Sequence, residues 1–117
     1  MSKTDETLHY IKTNRKKTAV IYVKDNDKKS AQELFCHAYI LDNGYELLFT
    51  TSNIEEVNDC DIMVAASPEM ISRDRIEYCI VLNDLKKKGI KVEIVSVNGD
   101  AGKYIDYVTQ LYVKGRI

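Results

Sequence analysis

A chain of this composition could do chemistry through serine hydroxyls, cysteine thiols, imidazoles and basic side chains, and these fall in few places. A serine becomes a nucleophile only beside a base or a charge cluster that activates it. Ser30, Ser67 and Ser72 each stand where a helix begins or a strand closes, and capping accounts for all three. Two histidines are present, His9 near the N-terminus and His37 beside Cys36. A zinc site needs about four converging ligands, whereas neighbours on a helix point about 100° apart, so no metal is expected. Cys36, Cys60 and Cys79 are odd in number, widely spaced and without a CxxC pair, as in reduced thiols of a cytoplasmic protein. No segment matches GxxxxGK[ST], GxGxxG, GxSxG or HExxH, so no cofactor is expected. Tyrosine dominates the aromatics, and Tyr104, Tyr107 and Tyr112 cluster towards the C-terminus.

The elements that must position these groups can be read from apolar spacing. Thr18 to Val23 (TAVIYV) is β-branched, aromatic and nearly continuous, as in a strand buried on both faces. Ser30-Ala31-Gln32-Glu33 has capping-box spacing, with Ala31, Leu34, Phe35, Ala38 and Leu41 following at helical intervals and Asn43-Gly44 as a stop. Tyr45 to Thr50 predicts a second strand, Ser52-Asn53-Ile54-Glu55 a single capped turn, and Asp61 to Ala66 a third strand closed by Ser67-Pro68. Ser72 to Lys88 predicts a helix with Tyr78, Val81, Leu82 and Leu85 on one stripe and Ile76, Cys79 and Ile80 beside it. Gly89 caps it, Ile90 to Val97 predicts a fourth strand, and Asn98-Gly99 turns the chain. Asp100 can then cap a last helix bearing Ala101, Tyr104, Ile105, Val108, Leu111 and Tyr112. This succession predicts an α/β domain of three layers, with a mainly parallel sheet of four to five strands between helices. Ligands in such sheets sit beyond the carboxyl ends of the strands, here the segments Lys24 to Lys29, Ser67 to Arg73 and Asn98 to Lys103.

Composition bounds the function. One domain is all that 117 residues can form, and 44% hydrophobic with 30% charged residues excludes a disordered or fibrous chain. The longest apolar runs fall far short of the roughly 20 residues of a membrane helix, and Asp5 and Glu6 stand where a leader would need an apolar run. The net charge of −1 hides an asymmetry. Residues 1–17 hold five basic side chains (Lys3, Lys12, Arg15, Lys16 and Lys17) against two acidic ones, and the rest of the chain is net acidic. The head is therefore expected to be a basic arm preceding a domain over 18–117, with Lys12, Arg15, Lys16 and Lys17 available for weak DNA contact.

The stretch Asp61 to Gly89, DIMVAASPEMISRDRIEYCIVLNDLKKKG, resembles the centre of the serine recombinase (resolvase/invertase) catalytic domain. In that family a strand beginning with Asp runs into a D-R-L-x-R-D motif, then a helix, a glycine and another strand. AVIYVKDND is similar to the family's first strand, and VNGDAGKYIDYVTQL to the opening of its long helix after the fourth strand. The resemblance spans about residues 18 to 112 and implies a resolvase-like fold. The family's chemistry uses a serine that attacks a DNA phosphodiester and arginines that stabilise the charge gained by the phosphate. Carried over, the serine's place falls on Asn26 and that of an arginine two residues earlier on Lys24. In the D-R-L-x-R-D motif the first Asp becomes Glu69 and the first Arg becomes Met70, while Arg73 and Asp74 are retained. Asn26 has no hydroxyl, and Lys24 lacks the planar fork of a guanidinium.

The resemblance therefore implies a degenerate recombinase domain without an intact catalytic set, serving as a regulatory or interaction module linked to DNA recombination or a mobile element. Lys24, Arg73 and Lys103 would form a residual anion site. Tyr104, Ile105, Val108, Leu111 and Tyr112 would offer the surface for a protein partner or for self-association. With Gly115-Arg116-Ile117 closing the sequence, no C-terminal DNA-binding domain is expected. The alternative is the catalytic fragment of a recombinase acting on DNA, against which Asn26 and Met70 count.

Overall fold

The computed structural model describes residues 16–98. Four strands form one parallel sheet: β1 (Thr18–Tyr22), β2 (Glu46–Thr51), β3 (Ile62–Ala65) and β4 (Lys91–Ile94), in the order β2-β1-β3-β4. Between them lie α1 (Lys29–Asn43), a 3-10 turn (Ile54–Glu56), α2 (Pro68–Ile71) and α3 (Arg75–Lys87), and α4 (Val95–Asn98) follows β4 directly. The domain is α/β, with helices on both faces of the sheet, as the sequence predicts.

Strand alternation explains why the apolar runs are continuous. Ala19, Ile21 and Val23 of β1 and its extension, with Ile62 and Val64 of β3, join Cys36, Tyr39 and Ile40 of α1 in one core. The intervening Val20 and Met63 join Val57, Leu85 and Ile90 in a second core on the other side. Both faces of β1 and β3 are thus dry, the condition under which strands lose the polar half of their pattern.

Several boundaries differ from the sequence expectation. The capping box at Ser30 does not form. The helix starts earlier, with Lys28 at its N-cap and no side chain capping it. Instead Asn26 Oδ1 accepts from the Lys28 amide at 2.9 Å, an Asx turn that leads the chain into α1. The buried ridge of α1 is Gln32, Cys36, Ala38, Tyr39 and Ile40, while Leu41 is 72% exposed. This ridge is turned by about one residue from the predicted stripe, because Gln32 is drawn inward by hydrogen bonds to the loop. The α1 stop is as read: Gly44 is left-handed (φ 69°), and its amide donates to Ile40 and Leu41 carbonyls. In the 3-10 turn the cap is Asn53 rather than Ser52, with Oδ1 accepting from the Glu55 amide. The long helix starts not at Ser72 but behind Asp74, whose carboxylate accepts from the amides of Ile76 (2.8 Å) and Glu77 (3.2 Å). β4 ends at Ile94 instead of Val97, since Asn98 Oδ1 reaches back to the Ile94 amide at 2.9 Å and α4 begins at Val95.

At the amino ends of the strands a polar clasp joins β1 to β3. The Thr18 amide (2.9 Å) and hydroxyl (3.2 Å) both donate to Asp61 Oδ2. The Asp61 carbonyl accepts from the Lys91 amide, carrying the register on to β4. No helix among the described residues is long and apolar enough to cross a membrane.

Candidate functional site

The carboxyl ends of β1 and β3 lie side by side, and the chain leaves them towards opposite faces, through α1 from β1 and through α2 and α3 from β3. Crevices of this kind are where α/β sheets hold ligands. Here the crevice is organised by Gln32, only 3% exposed. Its Oε1 accepts from the Lys24 amide at 2.7 Å, and its Nε2 donates to the Lys24 carbonyl and to Asn26 Oδ1, both at 3.0 Å. One side chain thus satisfies both backbone groups of Lys24 and fixes the loop from Lys24 to Lys28. Asn26 Oδ1 is shared between Gln32 and the Lys28 amide, and its Nδ2 points at Met70 Sδ, 3.9 Å away.

The two positions that the resemblance pairs as nucleophile and arginine are therefore neighbours, although 44 residues separate them in sequence. Their chemistry is that of an amide against a thioether. Neither group loses a proton near neutral pH or carries charge, so the pair supplies no nucleophile and no phosphate clamp. Of the remaining carried-over positions, Lys24 and Arg73 are exposed. The Glu69 carboxyl is held below its usual range, first by its own backbone amide at the start of α2 and then by the Ser67 hydroxyl, with Arg73 adding a smaller effect. Asp74 is the cap of α3. Lys103, the third member of the candidate anion set, lies outside the described residues, as do Lys12, Arg15, Tyr104, Ile105, Val108, Leu111 and Tyr112. Lys16 and Lys17 are exposed at the entry to β1.

The expected capping role does not hold for all three serines: Ser72 and Ser67 turn to local partners, whereas Ser30 caps nothing. Ser72 Oγ accepts from the Asp74 amide (3.1 Å) and lies within hydrogen-bond distance of the Asp74 carbonyl and Glu77 Oε2. Ser67 occupies the N-cap position of α2, and its side chain turns to Glu69. Ser30 is exposed on the first turn of α1. Cys36 is buried, and burial, with Glu33 adding to it, pushes its thiol up to about 12. Among the described residues no three metal-ligating side chains converge.

Next to the Asn26–Met70 contact a groove of about 290 Å³ runs between α1 and α4. Ala31 and Phe35 of α1, Ala66, Met70 of α2, and Val95 and Ser96 of α4 line it, with Lys28 as its charged member. Ser96 is held to the sheet by its amide, which donates to the Ala66 carbonyl at 3.1 Å.

Two residues of the site carry no clear mark in the sequence. Gln32 falls inside the Ser30–Glu33 capping-box spacing. The cue to its role is a long amide on the first turn after a polar loop, placed to reach back to the strand end. Glu93 falls within the fourth predicted strand and is not singled out by the sequence, yet it is 6% exposed and accepts hydrogen bonds from the Tyr39 and Tyr45 hydroxyls, Tyr45 at 2.9 Å. Lys91 Nζ approaches it at 3.9 Å from the surface. The cue there is a lone carboxylate in the apolar run IKVEIVSV, with Tyr39 and Tyr45 elsewhere in the sequence able to donate to it.

No family model matches the chain, and no curated protein or solved structure shows significant similarity to it.

Proposed function

We propose that this chain is a resolvase-like domain that no longer cleaves DNA and acts as an interaction or regulatory module connected with DNA recombination or a mobile element. The observation that carries this reading is the meeting of Asn26 and Met70 at the ends of β1 and β3. The resemblance pairs these two positions as nucleophile and phosphate-binding arginine, and their adjacency supports that alignment. The amide and thioether standing there supply neither role. Asn26 is also tied down by Gln32 and by the start of α1, so its side chain serves the loop.

The test is covalent trapping. The chain incubated with nicked or suicide duplex DNA is expected to leave no protein–DNA adduct on a denaturing gel. An adduct formed by the unaltered chain would overturn the reading in favour of a working recombinase fragment. Asn26→Ser alone is expected to remain inactive, because Met70 and Lys24 stand where two of the family's guanidiniums would be and Arg73 is the one motif arginine retained. Association with a partner is assigned to Tyr104, Ile105, Val108, Leu111 and Tyr112, and weak DNA contact to Lys12, Arg15, Lys16 and Lys17. The second assignment predicts a duplex gel shift that weakens steeply with salt and is lost when those four are changed to Gln.

A further inference from the structure

The groove between α1 and α4 has apolar walls and lies where α/β domains usually hold something. Two of its lining residues, Val95 and Ser96, belong to the last described turn, which ends at Asn98. Residues 99–117 therefore start within three residues of the groove wall. They begin with Gly99, which follows Asn98 in a pair suited to reversing the chain, and continue with apolar residues at helical spacing, Ala101, Tyr104, Ile105 and Val108. Asp100 and Asp106 are outnumbered by Lys103, Lys114 and Arg116 in this segment, so its fit to the groove rests on the apolar spacing and on its attachment at Asn98 rather than on charge.

We propose that the groove is the docking site of residues 99–117 of the same molecule, with the Tyr104–Ile105 side of that segment laid against Ala31, Phe35, Met70 and Val95. Attachment at Asn98 keeps the local concentration of the segment high, so a modest apolar contact suffices to hold it. In this arrangement the stripe assigned to a partner is covered in the free chain, and a partner must displace it from the groove. The inference deepens the interaction-module reading in that one respect. Docking is measured on the protein alone and the module reading on DNA, so either can fail without the other.

The experiment follows trypsin cleavage after Lys103 and chymotrypsin cleavage after Tyr104 in the full chain by mass spectrometry. Ala31→Trp fills the groove from the α1 side and is expected to speed both cleavages about tenfold, the order of effect of burying one large apolar side chain. Cleavage after Lys86 and Lys87 in α3 should stay unchanged, which shows that the fold is intact. If Ala31→Trp fails to fold, Ser96→Trp plugs the groove from the α4 side and serves the same purpose. Equal cleavage rates in the unaltered chain and a folded plugged variant would overturn the proposal. Protection that rises with protein concentration would also overturn it, because the segment would then be docking on a second copy.

Discussion

The two faces of the sheet are covered on different principles. On one, α1 contributes Gln32, Cys36, Ala38, Tyr39 and Ile40 to the interior, and the layer holds a buried carboxylate as well as apolar groups. On the other, α3 commits a single fully buried side chain, Leu85, while Ile76 and Ile80 stand 74% and 55% exposed. The first face spreads its hold over many residues and gives them polar partners. The second concentrates its hold on fully buried Leu85, with half-buried Val81 beside it, and leaves the outer ridge of its helix uncommitted. A helix with one fully buried residue should be more sensitive at that residue than anywhere else along its length.

The largest effect is expected at that point. Leu85→Ala removes the one buried anchor of α3 and should cost about 2–5 kcal/mol, read as a lower denaturation midpoint with an unchanged slope. A loss below about 1 kcal/mol would mean that Val81 and Leu82 carry the helix and that the contrast is false. On the opposite face, Tyr39→Phe takes one donor from buried Glu93 and should cost about 1–3 kcal/mol. Were it neutral, the tyrosine hydrogen bonds to Glu93 would not distinguish that face. At the bottom of the scale, Ile76→Lys and Ile80→Lys should each change stability by no more than about 0.5 kcal/mol. A much larger loss at either would show that something covers this ridge.

A pH series sharpens the same comparison. The Tyr45 hydroxyl is pushed up to about 12, first by burial and then by its hydrogen bond to the Glu93 carboxylate. Its folded value thus lies above the ordinary 10 of a free phenol, so the fold favours the protonated form. That contribution is fully present below about pH 10 and is lost as the pH climbs through about 12. The unfolding temperature should therefore fall more steeply above about pH 10 in the unaltered chain than in Tyr45→Phe, and parallel curves would show that the Tyr45–Glu93 hydrogen bond does not contribute. Thiol labelling gives the kinetic counterpart: exposed Cys79 should react at once, and buried Cys36 only as fast as the domain opens.

The positions of the strands were legible because burial on both sides leaves little room for polar residues. TAVIYV and DIMVAA could hardly be anything but interior strands, and Asn43-Gly44 marks its helix end through the backbone it allows. Helix starts were less legible, since several nearby residues could cap and the choice is made by tertiary contacts. Ser30 lost to the Asn26 turn once Gln32 had been pulled under the loop, and Ser72 lost to Asp74, which reaches two amides. Glu93 was hidden for another reason. A glutamate in IKVEIVSV reads as the outward residue of an alternating strand, and only the folded chain brings the two phenols that make its burial tolerable. The meeting of Asn26 and Met70 follows from the strand order, which no local pattern encodes.

One irregularity of the sheet bears on how the molecule coexists with others like it. Between β1 and β2 the pairing steps from Ala19–Leu47 to Val20–Phe49, so Leu48 is skipped on the outermost strand. An open strand rich in leucine, phenylalanine and threonine is otherwise an inviting template for a stranger's backbone. The extra residue puts a local kink and added twist into that border, so an incoming straight chain loses register after a few residues. The bulge at Leu48 is therefore expected to disfavour edge-to-edge pairing between copies of this strand.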